Sequence, residues 1–153
     1  MHIFSTDIVT DKIDVYWEQQ SQQVFQKVPV LVISTHVEEG SPATQLLTNM
    51  LHGGCKLTAD QYHIIYLKDS DVLPWTIIRE QVSPKLVLLF GVTPKQLGIH
   101  ALFLLHEGNK FDDCIFLPAM SLPEINTQAT LKQAIWKGGL QPIFELKKYG
   151  DIL

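Results

Sequence analysis

From residue 28 onward the chain alternates between short apolar runs and segments with helical spacing. Residues 28–34 (Val-Pro-Val-Leu-Val-Ile-Ser) form a β-branched, uncharged run, the pattern of a strand buried on both faces. After a turn-like stretch, Ser41 can cap a helix whose first turn holds Pro42, the position where proline is best tolerated. Leu46, Leu47, Met50 and Leu51 carry that helix on, and Gly53-Gly54 ends it. Residues 62–67 predict a second strand. Pro74 opens a second helix through Ile77, Ile78 and Val82, stopped at Ser83-Pro84. Residues 86–90 predict the third strand, ended by Gly91, and Thr93-Pro94 starts a short helix. Residues 101–105 and 114–118 read as strands joined by a turn around His106-Glu107-Gly108-Asn109. The last helix holds Leu131, Ala134, Ile135 and Trp136, with Gly138-Gly139 and Pro142 breaking or bending its end. Strands alternating with helices imply a three-layer α/β/α sandwich around a mainly parallel central sheet.

The first 27 residues are different in character, polar and rich in glutamine, and they are set apart from the domain at 28–153. Ile13, Val15 and Trp17 alternate as in an edge strand, whereas Ile13, Tyr16, Trp17 and Gln20 fit a helix face; the pattern leaves both open. Val15, Tyr16 and Trp17 are the candidate partner-binding anchors of this segment, because aromatic side chains carry much of the energy of protein interfaces. Trp75 and Trp136 are also candidate anchors, although core packing is the commoner role for such residues.

Composition narrows the function classes. At 46% hydrophobic and 18% charged, 153 residues suit one globular domain, and no apolar run approaches the roughly 18 residues that span a bilayer. The N-terminus lacks a basic segment followed by an apolar one, so a cytoplasmic protein with no membrane partner is expected. Net charge is −4, and Arg79 is the only arginine. Nucleic-acid affinity comes largely from cations placed on phosphates, so weak or no direct binding to nucleic acid is expected. Cys55 and Cys114 are too few for a disulfide framework or a four-cysteine cluster, and the histidines show no metal-ligand spacing. The sequence therefore predicts no cofactor and no metal. The Gly-Gly pairs lack the Lys-Ser/Thr of a phosphate loop.

Three ordered stretches resemble the uracil-DNA glycosylase superfamily. Residues 41–51 with 57–62 are similar to its first helix and following strand, and 84–97 to its central strand and next helix. Residues 117–121 through 131–136 are similar to its last strand, active-site loop and terminal helix. The resemblance implies the glycosylase-type fold with a degenerate active site. In active members the loop after the first strand positions water, and here it reads Thr35-His36-Val37-Glu38-Glu39-Gly40, a different pattern. A later loop in active members carries a His-Pro pair, and here Ser121 or Leu122 falls at the histidine. A non-catalytic group with this fold, the psi subunits of bacterial DNA polymerase III clamp loaders, is similar at residues 66–74 and from 117 to 136. This implies a protein-binding subunit of the replication or repair machinery, tethered through its polar N-terminal segment. The rival expectation is a divergent glycosylase-type hydrolase.

Thr35, His36, Glu38, Glu39 and Ser121 are thus the candidate residues of a vestigial pocket. An imidazole beside carboxylates at the carboxyl end of a strand can do acid–base work or hold a metal; a solvated loop without chemistry is the simpler reading.

Overall fold

A computed structural model describes residues 27–68 and 70–153. The candidate anchors Val15, Tyr16 and Trp17 lie outside these residues. The described chain is an α/β domain around a five-stranded sheet: β1 (Val30–Thr35), β2 (Tyr62–Leu67), β3 (Leu86–Phe90), β4 (Asn109–Phe111) and β5 (Cys114–Ala119). The spatial order is β2-β1-β3-β5-β4, parallel except for the β4–β5 hairpin.

The three central strands are almost entirely buried, which explains their lack of polar alternation. Their period of two still divides the core. Val30 and Val32 of β1, with Leu86, Leu88 and Phe90 of β3, face one cluster. Leu31 and Ile33, with Val87 and Leu89, face the other. Each fully buried aliphatic side chain contributes about 1.5–3 kcal/mol relative to exposure. Helix α1 (Pro42–Thr48), α3 (Leu122–Thr127), α4 (Ala129–Ile135) and α5 (Gln141–Phe144) supply Leu47, Ile125, Ile135 and Ile143 to the first cluster. Helix α2 (Trp75–Gln81) supplies Trp75 and Ile78 to the second. Helices therefore cover both faces.

Several expectations are corrected. The first strand starts at Val30, because Pro29 carries no N–H for a ladder and instead offers its carbonyl to the N–H groups of Lys85 and Leu86. Residues 101–105 form no strand. Their apolar alternation is met by packing Ala101 and Phe103 inward, and no ladder reaches their backbone. A turn does fall at 105–107, within the expected stretch, but Asn109 already belongs to β4. The tight turn is Asp112-Asp113, with φ of 53° and 59°, the left-handed pair that a two-residue hairpin needs. Helix α3 adds to the expected elements: Ser121 stands at its N-cap and Pro123 in its first turn, and its six residues are too few to show a helical period. Gly53-Gly54 does close the first helical stretch, at the end of a π-helical turn (Asn49–Gly54), whereas Gly138-Gly139 lies inside a second one (Trp136–Leu140) that runs on into α5; Cys55 N–H donates to Met50 C=O and Gln141 N–H to Trp136 C=O, five residues back.

Candidate functional site

The order β2-β1-β3-β5 reverses winding direction between β1 and β3, and in open α/β sheets ligands bind at the carboxyl ends of the strands flanking such a point. Here β1 ends at Thr35, β3 at Phe90 and Gly91, and β5 at Ala119. Gly91 has φ of +73° and donates its N–H to Ala119 C=O at 3.0 Å. A side chain at Gly91 would stand 3.0 Å from Ser121 Cβ and 3.1 Å from Thr35 Cγ2. Two candidates, Thr35 and Ser121, are therefore brought together, on either side of a glycine that has to be small.

The other candidates fall elsewhere. His36 and Glu38 are exposed and line a separate hollow of about 410 Å³ with Ser41, Pro123 and Asn126. Glu39 is exposed too. Burial pushes the Tyr66 phenol up, and the negative charge of Glu39 adds to that rise. Ser121 donates to Glu124 at 2.9 Å, which commits its hydroxyl to a carboxylate on α3. The five candidates thus share none of the hollows described among these residues.

What occupies the carboxyl ends instead is a groove of about 450 Å³. Its walls are residues 91–94 and 101–103 with Leu105, and its floor is 118–121, Leu104 standing just outside the lining; Glu124 is the only ionisable lining group among the described residues. Leu102, Leu104 and Leu105 stand at the 101–105 wall with 101%, 63% and 51% of their surface exposed. That is a concentrated apolar display on an otherwise well-packed domain. Opposite, a 3₁₀ turn (Pro94–Leu97) is set by Gln96, whose side chain accepts from Thr93 N–H and donates to the carbonyls of Lys68 and Asp71.

The 101–105 wall is held by side chains in place of a ladder. The Asn109 amide accepts from Leu104 N–H at 2.9 Å and donates to the carbonyls of Leu104 and Glu107 at 3.0 and 2.8 Å. Beneath the wall, Phe103, Phe111 and Trp75 gather on Phe116, with ring centroids 4.9–5.9 Å apart. His106 closes the corner. It is 9% exposed, its N–H donates to Pro118 C=O at 2.7 Å, and its Nε2 accepts from Met120 N–H at 3.2 Å. Burial lowers its affinity for a proton below the ordinary histidine value. Neither His106 nor the three leucines was singled out as a site from the sequence. The available signal was that residues 101–105 are apolar in both registers, so that one side had to face water.

At the opposite end of the sheet, a hollow of about 520 Å³ is lined by Lys85 and Lys110 against Asp112, Asp113 and Asp151. These charges are mixed in sign and compensate one another. Lys110 and Lys148 also lie 6.0 and 5.5 Å from the Tyr149 ring. No group of three or more His, Cys, Asp or Glu suited to a metal occurs among the described residues, and no helix among them is long and apolar enough to cross a membrane. Both cysteines are buried and free, with their thiols pushed up to about 12 by desolvation. Compared with protein-family models and with curated proteins, the sequence matches none of them.

Proposed function

We propose that this domain is a protein-binding subunit that does no catalysis, with a uracil-DNA glycosylase-type fold and a role like that of the psi subunits in DNA replication or repair. One observation carries the binding part of this reading: the carboxyl ends of the strands present an apolar groove edged by exposed leucines. Such a surface suits an apolar segment of another protein, and hot spots of this kind are built from large buried side chains. The replication setting rests on the sequence resemblance alone, since a fold does not fix a function. The polar residues 1–27, with Val15, Tyr16 and Trp17, are proposed as a second contact that tethers the domain to its partner.

The test is binding of the full chain to purified clamp-loader and single-strand-binding proteins. Leu102→Asp and Leu104→Asp should each weaken the contact by at least about 1 kcal/mol, roughly fivefold, while the melting temperature is retained, because both side chains are exposed. Full-length protein that binds neither partner removes the replication reading. The hydrolase alternative is decided by uracil release from single- and double-stranded DNA, for which no activity is expected. Release that disappears in His36→Ala or Glu38→Ala would put the hydrolase in its place.

A further inference from the structure

We propose that His106 is a pH-sensitive latch that holds the 101–105 wall of the groove against its 118–121 floor. Three elements meet on this residue. Its N–H binds the Pro118 carbonyl, its ring accepts the Met120 N–H, and its own carbonyl lies 3.0 and 3.1 Å from where side chains at Gly138 and Gly139 would begin. Its φ of +61° is a left-handed conformation, uncommon for a non-glycine residue. The residues it joins, Leu105 on one side and Met120 and Ser121 on the other, all line the groove.

The hydrogen bond defines the chemistry. Because Met120 N–H is the donor, Nε2 carries no proton, and the neutral ring holds its proton on Nδ1. Protonation turns Nε2 into a donor pointed at another donor, and it places a charge on a residue that is almost fully buried. The charged and titratable groups on the surrounding elements are Glu107 and Tyr149 beside it, Glu124 on α3 and Lys137 on the second π turn. None of them hydrogen-bonds the imidazole: Glu124 is taken by Ser121, and Tyr149 donates to Gly108 C=O. Among the described residues no carboxylate hydrogen-bonds the ring, so acid removes the Met120 bond and loosens the joint between the wall and floor of the groove.

The groove is the one read above as a partner surface, but the readouts here are taken on the free full chain, so loss of the latch and loss of partner binding are separate results. In isotope-labelled protein, the His106 ring nitrogens should report the Nδ1–H tautomer near neutral pH. Its titration midpoint should fall below 6.5, and the Met120 amide should move with the same midpoint. Hydrogen-exchange protection of Met120 should fall about tenfold from about pH 7.5 to about pH 5, the equivalent of roughly 1.4 kcal/mol. His106→Gln keeps an acceptor oxygen without titrating, and its Met120 protection should stay flat. An Nε2–H tautomer at neutral pH, a Met120 amide that ignores the His106 titration, or an unchanged pH response in His106→Gln would overturn the latch. If His106→Gln does not fold, the tautomer and the shared midpoint in the wild type decide the matter alone.

Discussion

Gly91→Ala tests the convergence of β1, β3 and the loop after β5 most directly. Two costs add at this position. An alanine held at φ of +73° meets its own backbone, at about 1–2 kcal/mol. Its Cβ would also stand 3.0 and 3.2 Å from Ser121 Cβ and Cα, and 3.1 Å from Thr35 Cγ2. Those distances lie inside the optimal carbon–carbon separation of about 3.5–4.0 Å, and overpacking of this kind costs roughly 1–3 kcal/mol. The sum is about 2–5 kcal/mol, well within the stability of a typical domain, so a folded variant is expected. Gly98→Ala is the control, because Gly98 has φ of +71° but nothing within 4 Å of the new methyl. It should lose only the backbone part, about 1–2 kcal/mol. Urea unfolding followed by tryptophan fluorescence measures both, and with a slope of about 1–3 kcal/mol per molar the two midpoints should be clearly separated. Adding Thr35→Ser to Gly91→Ala removes the Thr35 methyl and should return part of the loss, a coupling that distant sites do not show. Equal losses at Gly91 and Gly98, or no recovery with Thr35→Ser, would refute the close approach of these strand ends.

Three further outcomes follow from the packing. Phe116→Ala, at the centre of the Trp75–Phe103–Phe111 cluster, should lose about 3–5 kcal/mol in the same urea assay. Asp112 accepts hydrogen bonds from Trp75 Nε1 at 2.8 Å and Arg79 at 2.5 Å, which hold its carboxyl below the ordinary 3.8. Its folded-state affinity for a proton is lowered, so its contribution is present above 3.8 and is lost as pH falls through the depressed value; Asp112→Asn should be less stable at neutral pH and flatter in acid melts. Cys55 and Cys114, with thiols near 12 and buried, should not react with a thiol reagent at neutral pH until the chain unfolds, when both should react. Fast labelling of the native protein would contradict their burial.

Legibility in the sequence followed the physics of each segment. Residues 62–67 and 86–90 were read with their observed bounds because each is an aliphatic or aromatic run closed by turn residues. Residues 101–105 carry the same pattern and are not a strand, since whether an extended segment joins a ladder depends on what lies beside it. Here the Asn109 side chain, eight residues from Ala101, takes the place of a neighbouring strand, and no periodicity records that. The candidate site was partly legible. Thr35, from the loop after the first strand, and Ser121, from the loop that the family resemblance singles out, do meet around Gly91, whereas His36 and Glu38 turn into another hollow within one to three residues of Thr35. The turn at His106 is legible in the sequence, but the bond that fixes its ring is not, because that bond comes from the Met120 N–H fourteen positions away.

The second π turn bears on insertions and deletions. A π turn is an α-helical turn carrying one residue too many, so the helices on both sides keep the facing they would have without it. Deleting one residue from Trp136–Leu140 should therefore leave Ile135 and Ile143 directed into the core, and the domain should still fold. The adjacent glycines at 138 and 139 would lose their present placement, or one of them would itself be lost. They form the bare patch on which the His106 carbonyl and the Leu117 methyl rest, with Leu117 Cδ1 only 2.6 Å from where a Cβ on Gly139 would lie. The extra residue thus sets the seating of the loop at the groove and leaves the register of the core untouched. A chain one residue shorter here would have the same fold and a differently shaped groove.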